Sequence, residues 1–127
     1  MALHLRFRLH SGTHSVPLRS VYRVAGFAAL DGEPQDYFLG WLQFHGKPAP
    51  VFDLNRVICE APTPETFGSR IIVFEAPPDA PTRYIGLLAA GVTDTTSANE
   101  PGVKPLNLAS YLAMLCLLIP DLPRERI

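Results

Sequence analysis

Cysteine is scarce in this chain: Cys59 and Cys116 are the only two in 127 residues, and neither has a CxxC partner. Both stand among apolar neighbours, where a free thiol behaves as a small hydrophobe. A disulfide scaffold and a thiolate metal site are thereby excluded, and a reducing compartment, the cytoplasm, is expected. No charge sign dominates. Eleven basic residues against twelve acidic ones leave a formal net charge of −1, without the basic face of an electrostatic nucleic-acid binder. Arg6, Arg8, Arg19 and Arg23 do gather near the start, where strand alternation makes them a solvated face. Long hydrophobic runs are missing too. Met1 to Arg6 lacks the apolar core of a signal peptide, and the most apolar window, Leu108 to Ile119, is too short to cross a bilayer. No membrane insertion and no nucleic-acid partner are expected.

Catalytic signatures are also absent. The chain has no GxSxG, no Walker-type loop, no GxGxxG and no HExxH. Its histidines, His4, His10, His14 and His45, are not spaced to converge as three or four metal ligands. The carboxylates are scattered; Asp53 and Asp94 fall within structured segments, where capping or turn roles account for them. No enzyme, no cofactor and no metal are expected.

Proline and short apolar runs are plentiful instead. Thirteen prolines punctuate a chain that is 47% hydrophobic. At this length a single unit over 1–127 buries roughly two-thirds of its unfolded surface without a staple. Leu3 to Leu9 alternates apolar and polar, the pattern of a half-buried strand, and Ser11-Gly12-Thr13 turns it into a second extended run through Leu18. Val21, Val24 and Phe27 recur at three-residue spacing, as in a short helix or an irregular turn. Phe38 to Phe44 is extended, with Gly40 marking a bulge or a close backbone approach. His45-Gly46-Lys47 is a hairpin turn, and a strand opened by Pro48 follows. Asp53 caps a helical turn over Leu54 to Ile58. Arg70 to Phe74 and Tyr84 to Val92, continuing to Thr95, are paired strands, with proline-rich connections at Ala61 to Gly68 and Ala76 to Thr82. The pattern is that of a sandwich or small barrel. Asn107 then caps a helix from Leu108 to Leu118 that is apolar nearly all round, so it is expected to be buried or covered by a partner.

The run Gly40-Trp41-Leu42-Gln43-Phe44-His45-Gly46-Lys47-Pro48-Ala49-Pro50-Val51-Phe52-Asp53-Leu54 resembles the central motif of CheW-like domains, with Gly40, Gly46, Pro50, Asp53 and Leu54 in matching places. Phe7 to Leu9 followed by Val16 to Val24 is similar to that family's opening strand pair, and Arg70 to Phe74 with Gly86 to Asp94 is similar to its next two strands. The resemblance implies a mainly β fold of two small five-stranded SH3-like barrels packed together. It also implies a non-catalytic adaptor that couples a chemoreceptor's cytoplasmic domain to the regulatory domain of a CheA-type histidine kinase. By position, its partner-binding residues are Val21, Gly40, Leu42, Phe44, His45 and Gly46, the glycines admitting a receptor helix close to the backbone.

The departures are specific. Arg23 stands where the family usually has glutamate, His45 where it has arginine, and Ala90 where it has aspartate. The family's last strand pair is missing, and Asn107 to Ile119 takes its place, so the second barrel is expected to be incomplete or finished by a helix or a partner chain. Two other functions stay open: a β-rich oligomerisation module that self-associates through the C-terminal helix, and a small His-dependent metal-binding enzyme.

Overall fold

The computed structural model describes residues 3–26, 29–64, 68–76, 83–97 and 101–119. Strand β1 (Leu3–Leu9) realises the first alternation, burying Leu5, Phe7 and Leu9. The two-residue loop His10-Ser11 leads into β2 (Gly12–Pro17), antiparallel to β1 with Leu9 opposite Gly12. Pro17, which has no ladder N–H to give, ends the strand. One 3-10 turn over Leu18–Ser20 follows. The three-residue spacing beyond it is then a strand, β3 (Arg23–Gly26), because pairing with Arg70 to Val73 satisfies its backbone. Phe27 lies outside the described residues.

The hairpin β4 (Phe38–Phe44) and β5 (Lys47–Asp53) carries the quoted motif. Its register slips between Phe38 and Gly40, the bulge expected there. The Asp53 carboxylate accepts the Arg56 N–H at 3.3 Å, capping α1 (Leu54–Cys59). Strand β6 (Arg70–Ala76) pairs with the first half of β7 (Arg83–Ser97). The connection expected at Ala76 to Thr82 lies mostly outside the described residues.

Strand β7 joins the two lobes. Gly86 to Leu88 also runs parallel to β5, so β4-β5-β7-β6-β3 is one five-stranded lobe. From Ala90 onward β7 pairs with β1, and β2 pairs parallel with β8 (Val103–Pro105). The second lobe therefore has four strands, and among the described residues neither sheet closes. Strand β8 was not legible: three residues ending in proline carry no period. The mainly β expectation holds, including the shortfall in the second lobe.

Helix α2 (Leu108–Leu117) stands where the last strand pair is missing, capped by the Asn107 side chain accepting from the Ala109 N–H. Leu108, Leu112 and Leu115, at helical spacing, enter the main core with Phe7, Val16, Ile72 and Phe74. Burial is one-sided: Met114 and Leu118 are exposed, and Leu117 is 86% exposed. Both cysteines are free and half-buried, and burial pushes the Cys116 thiol up. The opposite face of the five-stranded sheet encloses a smaller core of Phe44, Ala49, Val51, Ile71, Val73 and Leu88.

His14 is buried, stacked 6.4 Å from Phe7 and hydrogen-bonded to Ser11 at 2.9 Å. Burial and the charge of Lys104, its partner in β8, hold the imidazole below its ordinary value of 6.5. The unfolded chain therefore takes up this proton first as pH falls. The contribution of His14 to stability is complete above about pH 6.5 and is lost progressively below it. We expect urea midpoints between pH 7.5 and 5 to fall less steeply in His14→Phe than in the wild type. Parallel slopes would contradict the assignment.

Candidate functional site

The β4–β5 turn owes its shape to two left-handed residues. His45 has φ +51° and Gly46 φ +75°, the backbone of a type I′ hairpin whose twist matches the strands it joins. Nothing lies within 4 Å of a Cβ placed on Gly46, so conformation rather than crowding requires glycine there. The turn tip is exposed, while Phe44 beside it is anchored in the smaller core and Leu42 packs at that core's edge.

Around Phe44 the fold assembles an aromatic cluster that no spacing in the sequence announces. The His45 ring lies 4.3 Å from Phe44, the Tyr84 ring 4.9 Å and the Tyr22 ring 5.8 Å, all three edge-on. Tyr22 and Tyr84 approach to 4.8 Å, and the hydrogen bond that the Tyr84 hydroxyl donates to Tyr22, followed by burial, pushes the Tyr84 phenol up. The Arg23 guanidinium sits 5.9 Å from the Phe44 centroid, within cation–π range. Tyr22 is 45% exposed and Val24 38%, so the cluster opens to solvent. Its members come from β3 and the residue before it, the tip of the β4–β5 hairpin and the start of β7, and only the three-dimensional pairing joins them. Two departures from the motif, Arg23 and His45, thus flank one phenyl ring.

The six sequence-expected residues separate. Phe44, His45 and Gly46 share the cluster and its turn, with Leu42 on the same core. Val21 packs instead against the main core, its N–H bonded to Leu18. The expected close approach at Gly40 is taken by the chain itself. Gly40 is buried, and a Cβ there would lie 2.7 Å from the Asp31 carbonyl oxygen and 2.8 Å from the Leu30 Cβ. Asp31 bridges Trp41 through two backbone hydrogen bonds of 2.9 and 2.7 Å. The need for glycine at 40 is internal.

Asp53, the motif's acidic residue, is likewise turned inward. It is 3% exposed and accepts the Thr63 N–H at 2.9 Å and the Thr63 hydroxyl besides capping α1. Among the described residues no three histidine, cysteine or carboxylate groups gather where they could hold a metal. Among them, too, no helix is long and apolar enough to cross a membrane.

The CheW-like domain profile matches residues 4–115. The crystal structure of the scaffolding protein TtCheW from Thermoanaerobacter tengcongensis has a similar fold, with a TM-score of 0.65 at 20% identity. The similarity covers 78% of this chain and 63% of that one, so the chain spans less than two-thirds of that protein's length. No curated protein sequence matches.

Proposed function

The chain belongs to the CheW-like domain family, and from that premise we propose that it is a non-catalytic chemosensory adaptor, working in the cytoplasm, that couples a chemoreceptor's cytoplasmic domain to a CheA-type histidine kinase. The observation that carries this reading is the solvent-open cluster of Tyr22, Phe44, His45 and Tyr84 under Arg23, at the turn of the family motif. Aromatic side chains held by their neighbours lose little freedom on binding and are favoured anchors at protein interfaces. A cation above them suits an apolar helix carrying a carboxylate. Val21, Leu42, Phe44, His45 and Gly46 stand as contact residues in this proposal, Tyr22, Arg23 and Tyr84 join them, and Gly40 supports the surface from beneath.

Tyr22 is the cleanest test, because it is half exposed and belongs to neither hydrophobic core. Titration of a receptor cytoplasmic domain into Tyr22→Asp should show affinity reduced about 30-fold or more, equivalent to roughly 2 kcal/mol, the size of an interface hot spot. The melting temperature should stay within a few degrees. Equal binding by wild type and variant would remove the cluster from the interface.

A further inference from the structure

Tyr22 and Arg23 are consecutive, yet both side chains rest against the Phe44 ring, the phenol at 5.8 Å and the guanidinium at 5.9 Å. Consecutive residues of a regular strand point to opposite faces. Here they converge because Tyr22 stands one residue before β3. Its N–H donates to the Val73 carbonyl at 2.8 Å, and Arg23 lies opposite Val73 in the β3–β6 ladder. Both backbones are thus tied to one residue, and Val73 is buried with Phe44 in the smaller core. The phenol and the guanidinium project from a fixed base.

Each side chain keeps a donor for something outside. Tyr84 gives its hydroxyl hydrogen to the Tyr22 oxygen, so the Tyr22 O–H is not spent within that pair. Arg23 is exposed and, among the described residues, forms no ion pair. The described carboxylate placed to compete is Glu75, two residues along β6 from Val73 and opposite Tyr84. Arg23 turns to Phe44 instead. A guanidinium lying on a ring is held in place while its planar fork of N–H groups stays open to an acceptor. Lys47, exposed and paired with Phe44 at the end of the hairpin, carries the same sign.

We propose that Arg23 is the specificity-determining residue of this surface: with the Tyr22 hydroxyl it binds one carboxylate, aspartate or glutamate, on a partner helix whose apolar side chain one turn away covers the exposed aromatic rings. The inference rests on the adaptor reading and names what that surface selects. A carboxylate accepts two parallel N–H bonds from a guanidinium and has lone pairs left for a hydroxyl. Residues three or four apart on a helix stand about 5–6 Å from one another, which matches the 5.9 Å between the guanidinium and the Phe44 ring. A partner with lysine or arginine at that place meets like charge and is refused.

The test titrates a chemoreceptor cytoplasmic domain into the full chain, with amide spectra confirming that each variant is folded. Arg23→Gln should weaken binding about ten-fold or more, and Arg23→Glu further still. Glu75→Gln, which removes the competing carboxylate, should bind at least as tightly as the wild type. Reversing the receptor's helix carboxylates to lysine one at a time should identify one position that weakens the wild type and restores Arg23→Glu to within about three-fold of the wild-type affinity. Added salt should weaken the wild type more than Arg23→Gln. If the wild type binds and Arg23→Glu binds equally, or if no carboxylate reversal restores Arg23→Glu, the assignment falls while the adaptor reading stands. If the wild type does not bind the receptor, both fall.

Discussion

Replacing Gly40 with alanine is expected to unfold the protein at markedly lower denaturant, not merely to blunt its binding. The added methyl would sit 2.7 Å from the Asp31 carbonyl oxygen and 2.8 Å from the Leu30 Cβ, closer than such atoms approach. Neither obstacle can swing away. The carbonyl is backbone, held by its bridge to Trp41, and a Cβ has no rotamer of its own. Overpacking of this kind costs about 1–3 kcal/mol. The φ of +143° adds strain of about 1–3 kcal/mol for a residue with a side chain. The sum is a large part of the 5–15 kcal/mol typical of a domain. Gly46→Ala is the control: its φ is also positive, but the space is open, so only about 1–2 kcal/mol is at stake. Urea unfolding of the two variants side by side checks this. A Gly40→Ala midpoint no lower than that of Gly46→Ala would contradict the packing argument.

Removing the Asp53 carboxylate should be comparably severe. Its oxygens take the Arg56 N–H, the Thr63 N–H and the Thr63 hydroxyl in a site with almost no water. Asp53→Ala leaves the buried Thr63 N–H unpaired, at about 1–3 kcal/mol, leaves the Thr63 hydroxyl only the longer bond to the Leu88 carbonyl at 3.4 Å, and strips the cap from α1. A total loss of about 2–4 kcal/mol is expected. Asp53→Asn is the sharper variant: it preserves shape but offers only one acceptor oxygen, so it should fall between wild type and alanine. Calorimetric melting of both variants decides the matter. A loss under 1 kcal/mol in Asp53→Ala would mean that the network contributes nothing of its own.

These two residues mark what was legible in the sequence and what was not. Alternation in Leu3 to Leu9, apolar runs at Arg70 to Phe74 and Tyr84 to Val92, and caps at Asp53 and Asn107 are local signals, and each became the element it announces. Gly40 was correctly read as a bulge or close approach, but which atoms approach is a tertiary fact: Leu30 and Asp31 arrive from a loop whose sequence says only that it turns. The aromatic cluster was illegible for the same reason. Residues 22, 44 and 84 meet because β3 and the first half of β7 flank β6 while the β4–β5 hairpin folds its tip toward them. Helix α2 is a third case. Its nearly uniform apolarity could not say which side faces in, and the i, i+4, i+7 stripe of Leu108, Leu112 and Leu115 becomes the inner face only once β1, β2 and β6 provide a core.

The family motif therefore encodes two kinds of residue. Gly40 and Asp53 hold the hairpin and its following helix in place. Phe44, His45 and Gly46, joined by Tyr22, Arg23 and Tyr84, form the surface that this framework presents. An arginine at 23 and a histidine at 45 change the charge around that surface and leave its aromatic centre in place. Partner preference is the property these departures are expected to alter.

The most direct test of the adaptor account is a three-component sedimentation experiment. A chemoreceptor cytoplasmic domain, a CheA-type kinase and this chain are mixed pairwise and together. The account predicts that receptor and kinase co-sediment as one boundary only when the chain is present, and that Tyr22→Asp dissolves the boundary without unfolding. If receptor and kinase sediment identically with and without the chain, or if the chain joins neither, it is not an adaptor between them.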